Sequence, residues 1–360
     1  MLPITRLKSL SIYTLLIFLS YRVSAQGFGD VLATGADNAE AYLKNYAAPG
    51  INAFGNGLAN GWYSTARPHK VLGFNVSISP SFAFIPASEK SFAFNQRDYT
   101  DLVLEGDSDG LLPTIAGREA EVGAELVFTG EASYPGVAAI SIPGEQRFDV
   151  PDGIIDLDDN LFAGAPAPTF NIGIGIPKAT EIKLRVLPPI SFGNFQMSML
   201  GGGIMHDVKQ WIPGLNNLPF DLSAFFGVSQ LNMKYDIDVF VQNNEGLAFT
   251  TFEGEGKAIF KTTATTFQGV ISKKIFFFTP FASLGFNAVN SNLDVNGDYT
   301  YTINGNESQI KDPISLNFDG TGGLRATLGV QVKLAVFIVD FSYAFQQYNT
   351  LTVGLGVSVR

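Results

Sequence analysis

The chain has 360 residues, with 23 basic and 33 acidic side chains, a formal net charge of −10 and no cysteine. That balance disfavours nucleic acid, which attracts basic faces, and the lack of cysteine excludes disulfide and thiolate chemistry. Hydrophobic residues make up 46% of the chain, with 31 Phe and 38 Gly. Beyond an N-terminal apolar run, no stretch approaches the ~18 residues of a membrane helix, so strands must carry the apolar content, in a β-rich soluble domain or a membrane barrel.

The first 25 residues read as a targeting segment. Arg6 and Lys8 precede the apolar run Leu10–Leu19, and Val23-Ser24-Ala25 is a small-residue cleavage site, which predicts a signal peptide cleaved between Ala25 and Gln26. An uncleaved anchor helix is the alternative, but the run is short of the ~20 residues a span needs. Cleavage removes Arg6, Lys8, Arg22 and no acid, taking the net charge from −10 to −13.

Residues 26–69 do not read as strands. Asp37-Asn-Ala-Glu40 has capping-box spacing, Ala39, Tyr42, Leu43 and Tyr46 follow helical spacing, and Pro49-Gly50 should stop the run. Asn52 to Tyr63 is Gly/Asn-rich and irregular. This segment is expected to fold into the barrel as a helical plug or hatch, with Tyr42, Leu43, Tyr46 and Trp62 as packing residues. A periplasmic arm or a cap on the barrel rim is the alternative.

From residue 70 onward the pattern is strict alternation. Leu72, Phe74, Val76 and Ile78 oppose Gly73, Asn75, Ser77 and Ser79; Phe170, Ile172, Ile174 and Ile176 oppose Asn171, Gly173 and Gly175; Ile182, Leu184 and Val186 oppose Glu181, Lys183 and Arg185. Long strands run from Phe220 to about Gln242 and, after a turn at Asn243–Gly246, on to Ile271. Phe276, Phe277 and Phe278 stand where an aromatic girdle would sit. Leu324, Leu328, Val330, Val332 and Leu334 oppose Arg325, Thr327, Gln331 and Lys333, and the last ten residues set Leu351, Val353, Leu355, Val357 and Val359 against Thr352, Gly354, Gly356, Ser358 and Arg360. A soluble sandwich rarely puts two cations opposite so apolar a face; in a barrel they face water inside.

Short connections at 177–179, 272–275 and 335–337 alternate with long ones at 86–118, 143–166 and 294–315, as periplasmic turns alternate with external loops. Eleven strands are clear. An even number is needed, and 132–142, with Tyr134, Ala138, Ile140 and Ile142 on one face, is the best candidate for another. The predicted fold is all-β: a transmembrane antiparallel β-barrel over residues 70–360 with about 12 strands, fourteen being the next even count.

Gly61-Trp-Tyr-Ser-Thr-Ala-Arg-Pro-His-Lys-Val-Leu-Gly-Phe74, His206-Asp-Val-Lys-Gln-Trp-Ile-Pro213 and Leu218-Pro-Phe-Asp-Leu222 resemble an uncharacterised Gram-negative outer-membrane barrel family. Signal peptide, N-terminal hatch, barrel length and β-rich tail together resemble, more distantly, the long-chain fatty-acid transporter (FadL-type) superfamily. That resemblance implies passive transport of a hydrophobic or amphipathic molecule across the outer membrane. The Asn-Pro-Ala motif of the transporter hatch is absent, so no binding residues carry over.

Lys183, Arg185, Arg325 and Lys333 hold lumen-parity positions. They are candidates to meet an anionic head group, or simply to balance Glu181 and Asp221. Glu105, Asp107, Asp109 and Gly110 match the opening of a calcium loop, although Ala116 stands where the bidentate Glu belongs. The further acidic groups Asp149–Asp152, Asp156–Asp159 and Asp294–Asp298 read as solvated loops or as divalent bridges to lipopolysaccharide. With only His69 and His206, and no Gly-x-Ser-x-Gly, neither a catalytic metal site nor a serine hydrolase is expected, and no cofactor is called for. Two functions stay open: passive transport, or an accessory barrel docking a secretion component or surface lipoprotein, with outer-membrane lipid as partner in both.

Overall fold

The computed structural model describes residues 26–106, 108–117, 120–153, 164–243, 250–303 and 305–359. Residues 1–25, where a cleaved signal peptide is expected, Asp107, the stretch Asp156–Asp159, the turn residues Asn244, Glu245 and Gly246, and Arg360 lie outside the described residues. Two helices come first, α1 (Gln26–Ala33) and α2 (Ala36–Leu58). Ten long strands follow. They are β1 (Phe74–Ile78, resumed as Ser81–Ala83), β2 (Ala165–Ala167, resumed as Phe170–Ile176), β3 (Thr180–Phe192), β4 (Phe195–Asp207) and β5 (Asp221–Asn243), then β6 (Thr250–Ser272), β7 (Phe278–Ile303), β8 (Ile314–Leu334), β9 (Phe337–Phe345) and β10 (Thr350–Val359).

Each strand pairs antiparallel with the next. β10 then returns to β1, from Phe74↔Val359 to Ile78↔Leu355. The closed sheet has no free edge, so the backbone satisfies itself inside hydrocarbon. The alternation holds round the ring: Phe74, Ile172, Leu184, Leu200, Phe226, Phe267, Leu284, Leu328, Phe341 and Leu355, one from each strand, are exposed. Asn171, Lys183, Arg185, Ser229, Gln268, Asn287, Arg325 and Thr352 are buried on the inner face. A continuous apolar outer band around a polar interior is the signature of a transmembrane barrel.

The ring closes with ten strands among the described residues, not twelve. Residues 132–142 supply a two-stranded ribbon, Glu131–Ala132 with Ile140–Ser141. Tyr134, Ile140 and Ile142 pack in a cluster with α2 and with β5–β8 rather than on lipid. Alternation marks a half-buried strand without saying what buries it. The expected loops 86–118 and 143–166 belong, with this ribbon, to one insertion (residues 84–164) between β1 and β2. Within it Ser91–Ala93 pairs Leu111–Pro113, and Glu125–Phe128 pairs both Leu102–Glu105 and Gln146–Asp149.

Residues 294–315 are not a loop either. β7 continues to Ile303, Asn306–Lys311 folds back on it, and β8 begins at Ile314. Asp294-Val-Asn-Gly-Asp298 is strand, paired with β6 from Ile259↔Asp294 to Glu255↔Asp298, and its Val295 packs in the core of a head built beyond the barrel. β5 and β6 have 23 residues and β7 has 26, about twice the ~9–11 a tilted span requires. Their far halves wall in a head whose core joins Val239, Phe252, Val295 and Tyr299 to Leu102, Leu112, Leu126 and Phe128 of the insertion.

The helix also departs from its expected bounds. α2 starts before Asp37, with Gly35 at the cap position (φ 104°) and no side-chain cap, so the Asp37–Glu40 capping box is not made. Pro49-Gly50 does not stop it; the helix runs on to Leu58. Pro49 lacks the N–H that the Asn45 carbonyl would accept, a penalty of about 3 kcal/mol in an isolated helix. Burial of Ala53, Gly55, Asn56, Gly57 and Leu58 against the wall outweighs it. The chain enters at the head, where Ala39, Tyr42, Leu43 and Tyr46 join the apolar core. It descends to Leu58 beside Met199 and Leu231 in mid-barrel, and reaches the short-turn end at His69 before β1 begins.

Candidate functional site in the plugged lumen

The descending segment fills the barrel interior by meeting its wall on many sides. Asn56 donates to Thr321 Oγ1 (3.2 Å) on β8 and accepts from Asn287 (2.9 Å) on β7. Asn171 on β2 donates to the Gly61 carbonyl. Tyr63 donates to Ser283 (2.9 Å) on β7, and Ser64 accepts from Gln331 (2.7 Å) on β8. Ala66 bonds through its backbone to Ser223 on β5 and Ser272 on β6. Glycine allows the close approach: a Cβ on Gly55 would lie 2.3 Å from Val289 Cγ1, and one on Gly57 2.9 Å from Ala167 Cβ.

The centre of this contact is a pair of arginines. β3 and β8 are third and eighth in a ring of ten, so Arg185 and Arg325 reach inward from opposite walls. Arg185 is fully buried. It donates to the carbonyls of Leu58 and Asn60 (2.8 Å to the latter), to Ser229 Oγ (3.1 Å) and to Asn171 Oδ1 (2.9 Å), with its guanidinium 3.8 Å from the centre of the Trp62 ring. Arg325, also buried, donates to the Ala59 carbonyl (2.9 Å) and to Thr327 (3.1 Å). These carbonyls are the orphan acceptors at the end of α2, where the helix dipole is negative. Among the described residues no carboxylate lies within ion-pair distance of either guanidinium. Hydrogen bonds, the helix dipole and the Trp62 face offset the cost of burying both cations.

Nearer the short-turn mouth the charges are paired. Lys183 Nζ lies 2.6 Å from Glu181 Oε1. His69 bonds to Glu181 through both its backbone N–H and Nδ1, and to Ser358 through Nε2 (2.9 Å). Lys333 donates to Ser358 (2.8 Å), and Arg67 pairs with Asp221 at 2.9 Å. These groups, with Lys274 and Gln331, line a polar cavity of about 90 Å³. That is far below the ~300–1,000 Å³ of a small-molecule pocket, room for a few waters but not for an apolar chain.

The structure thus joins Arg185, Arg325 and Trp62 in one cluster, and Lys183 with Lys333 in another. It puts Tyr42, Leu43 and Tyr46 elsewhere, in the head: Tyr42 stacks on Tyr46 and meets Phe92 edge-on, and Tyr46 donates to the Asp152 carbonyl (2.6 Å). Glu105 is held by Arg147 (2.9 Å), which also binds Glu125 and Glu145, while Asp109 Oδ1 accepts from the Leu111 N–H. Among the described residues no three acidic or histidine side chains gather as a metal site, and a calcium ion at Glu105 would have to displace Arg147. Asn56, Asn171, Asn287 and the His69–Glu181–Ser358 chain were not expected. Inward parity marks Asn171, but only the register Asn171↔Arg185 shows what it holds.

Fold and interior together define a transmembrane β-barrel closed by its own N-terminal segment. The chain belongs to a family of unknown function, DUF6588, which it matches over residues 6–359. No curated protein matches it. Among solved structures it is similar to the translocator domain of the autotransporter NalP from Neisseria meningitidis, at 11% identity over 81% of this chain and 90% of that one, with a TM-score of 0.29. It is similar also to the β-domain of the Bordetella autotransporter BrkA, at 7% identity over 80% and 99% with a TM-score of 0.22. The loop-L8 deletion mutant of OmpT, an outer membrane protein of Vibrio cholerae, matches at 11% identity over 80% and 99% with a TM-score of 0.17. None of these three is named as a FadL-type transporter.

Proposed function

We propose that this chain is an outer-membrane barrel for passive passage of an amphipathic small molecule, closed at rest by residues 36–69 and open when that segment withdraws. The observation that carries the reading is the polarity of the wall beneath the plug. A lumen meant to stay filled is most stable when lined by apolar side chains. This one sets Asn171, Lys183, Arg185, Gln268, Asn287, Arg325 and Gln331 among apolar residues such as Met199, Phe225 and Leu231, and those polar groups are ones that water can solvate once the plug leaves. A FadL-like hydrophobic tunnel is a poorer fit to such a wall than an amphipath with a polar head.

Full-length protein in planar bilayers should be almost silent. Gly55→Phe, which drives a ring into Val289, should produce discrete openings. A porin-like current from the unaltered protein would remove the plug from the account. A variant that assembles but stays silent would remove the passage.

The head favours a second reading, an accessory barrel that docks a protein partner, because it is a packed body rather than a set of loops. A photocrosslinker at the exposed Val122 should then capture one neighbour in intact cells. Failure to capture any would dispose of this reading.

A further inference from the structure

The inner wall is charged oppositely to the chain. Among the described residues the buried charged side chains of the ring are Glu181, Lys183, Arg185, Arg325 and Asp340, with half-buried Lys333 and Asp221 at the mouth, in a chain of net charge −10. All three carboxylates belong to the short-turn end, and Asp221 pairs with Arg67. Glu181 is bound by Lys183 and His69, and Asp340 pairs in register with Gln331, two residues from Lys333. Arg185 and Arg325 stand above this level, opposite each other, with only neutral acceptors. Their strongest partners are the Leu58, Ala59 and Asn60 carbonyls, the negative end of α2.

A guanidinium is built to receive two oxygens of a carboxylate or phosphate at once, and the full negative charge of such a group is a Coulombic partner that a neutral carbonyl is not. We propose that Arg185 and Arg325 form an anion-binding pair, occupied here by plug carbonyls as stand-ins, and that a carboxylate- or phosphate-bearing solute competes with α2 for the same donors. The approach keeps an excess of cations over the Glu181 and Asp221 carboxylates that pair with Lys183 and Arg67. Lys183 lies two residues from Arg185 on the same inner face of β3, roughly 7 Å along the strand, and it lines the mouth cavity with Arg67, Lys274 and Lys333. This inference rests on the gated-passage reading and adds the charge of what passes.

The test uses the full chain carrying Gly55→Phe, with Gly57→Leu, aimed at Ala167, as a second opener should the first not assemble. In a potassium chloride gradient the reversal potential should lie on the chloride side. Octanoate and inorganic phosphate should each reduce the current, and octyltrimethylammonium should not. Adding R185Q and R325Q should move the reversal potential towards potassium and abolish block by both anions. Block by phosphate alone would exclude the amphipath and leave a small-anion site. A conducting opener without anion preference, or one whose preference survives the double substitution, would overturn the anion site while leaving gated passage standing. Two assembled openers that never conduct would overturn the gated passage itself.

Discussion

At the scale of single residues, the molecule turns on how buried polar groups are matched. Arg185 serves four acceptors on three elements and leaves none of them to solvent. Arg185→Ala orphans two carbonyls and an amide oxygen in the middle of the barrel. It should destabilise the protein by about 3 kcal/mol or more, since each buried unpaired group costs roughly 1–3 kcal/mol. The urea midpoint of the refolded barrel measures this. Arg185→Lys should recover only part of the loss, because an ammonium cannot span the same acceptors.

A different residue gives the head a pH response. Asp30 on α1 is pushed up to about 6 by burial and by the nearby Asp149. The folded state therefore prefers the protonated acid. The resulting stability is fully present below the ordinary value of 3.8 and is lost as pH rises through about 6. The protection of the Val31–Ala33 amides relative to their intrinsic exchange rate should fall over that interval, and Asp30→Asn should flatten the response. An unchanged pH profile in the variant would assign the effect to another group.

At the scale of elements, what could be read in advance depended on what each element touches. β8 and β10 were legible because lipid demands an uninterrupted apolar face: Leu324, Leu328 and Leu334, or Val353, Leu355 and Val357, admit no polar exception. Leu355, exposed at the centre of the band, tests this directly. Leu355→Arg should cost about 2–4 kcal/mol at mid-membrane and abolish heat-modifiable migration, whereas normal migration would argue that β10 does not face lipid. Elements outside the bilayer follow looser rules. The ribbon at 132–142 shows the same alternation as a membrane strand but buries its face on α2 and the tall strands. β7 continues straight through a segment whose Asn, Gly and Asp residues suggest a turn. α2 passes Pro49-Gly50 because the wall supports it on both sides, and a wall made of strands far away in the chain leaves no trace in the helix itself. The arginine pair was half legible. Parity placed Arg185 and Arg325 inside, but only the ring order, which depends on the number of strands, set them opposite each other across the end of α2.

At the scale of the whole molecule, the remaining question is direction. The turns at 177–179 and 335–336 lie at one end of the ring, together with the start of β1 and the end of β10, while the 84–164 insertion and the far ends of β5–β8 lie at the other. Barrels keep short turns in the periplasm and long segments outside. The head should therefore be extracellular, α1 should sit at the cell surface, and α2 should run inward through the lumen. The absence of cysteine makes this testable without background. Asp109→Cys, exposed in the head, should react with an impermeant maleimide on intact cells. Lys274→Cys, exposed at the opposite end, should react only after the outer membrane is breached. The reverse pattern would invert the barrel and put the head in the periplasm. Labelling of both sites on intact cells would mean that the plug does not seal the lumen against a small reagent. The polar wall around Arg185 and Arg325 would then already be wet at rest.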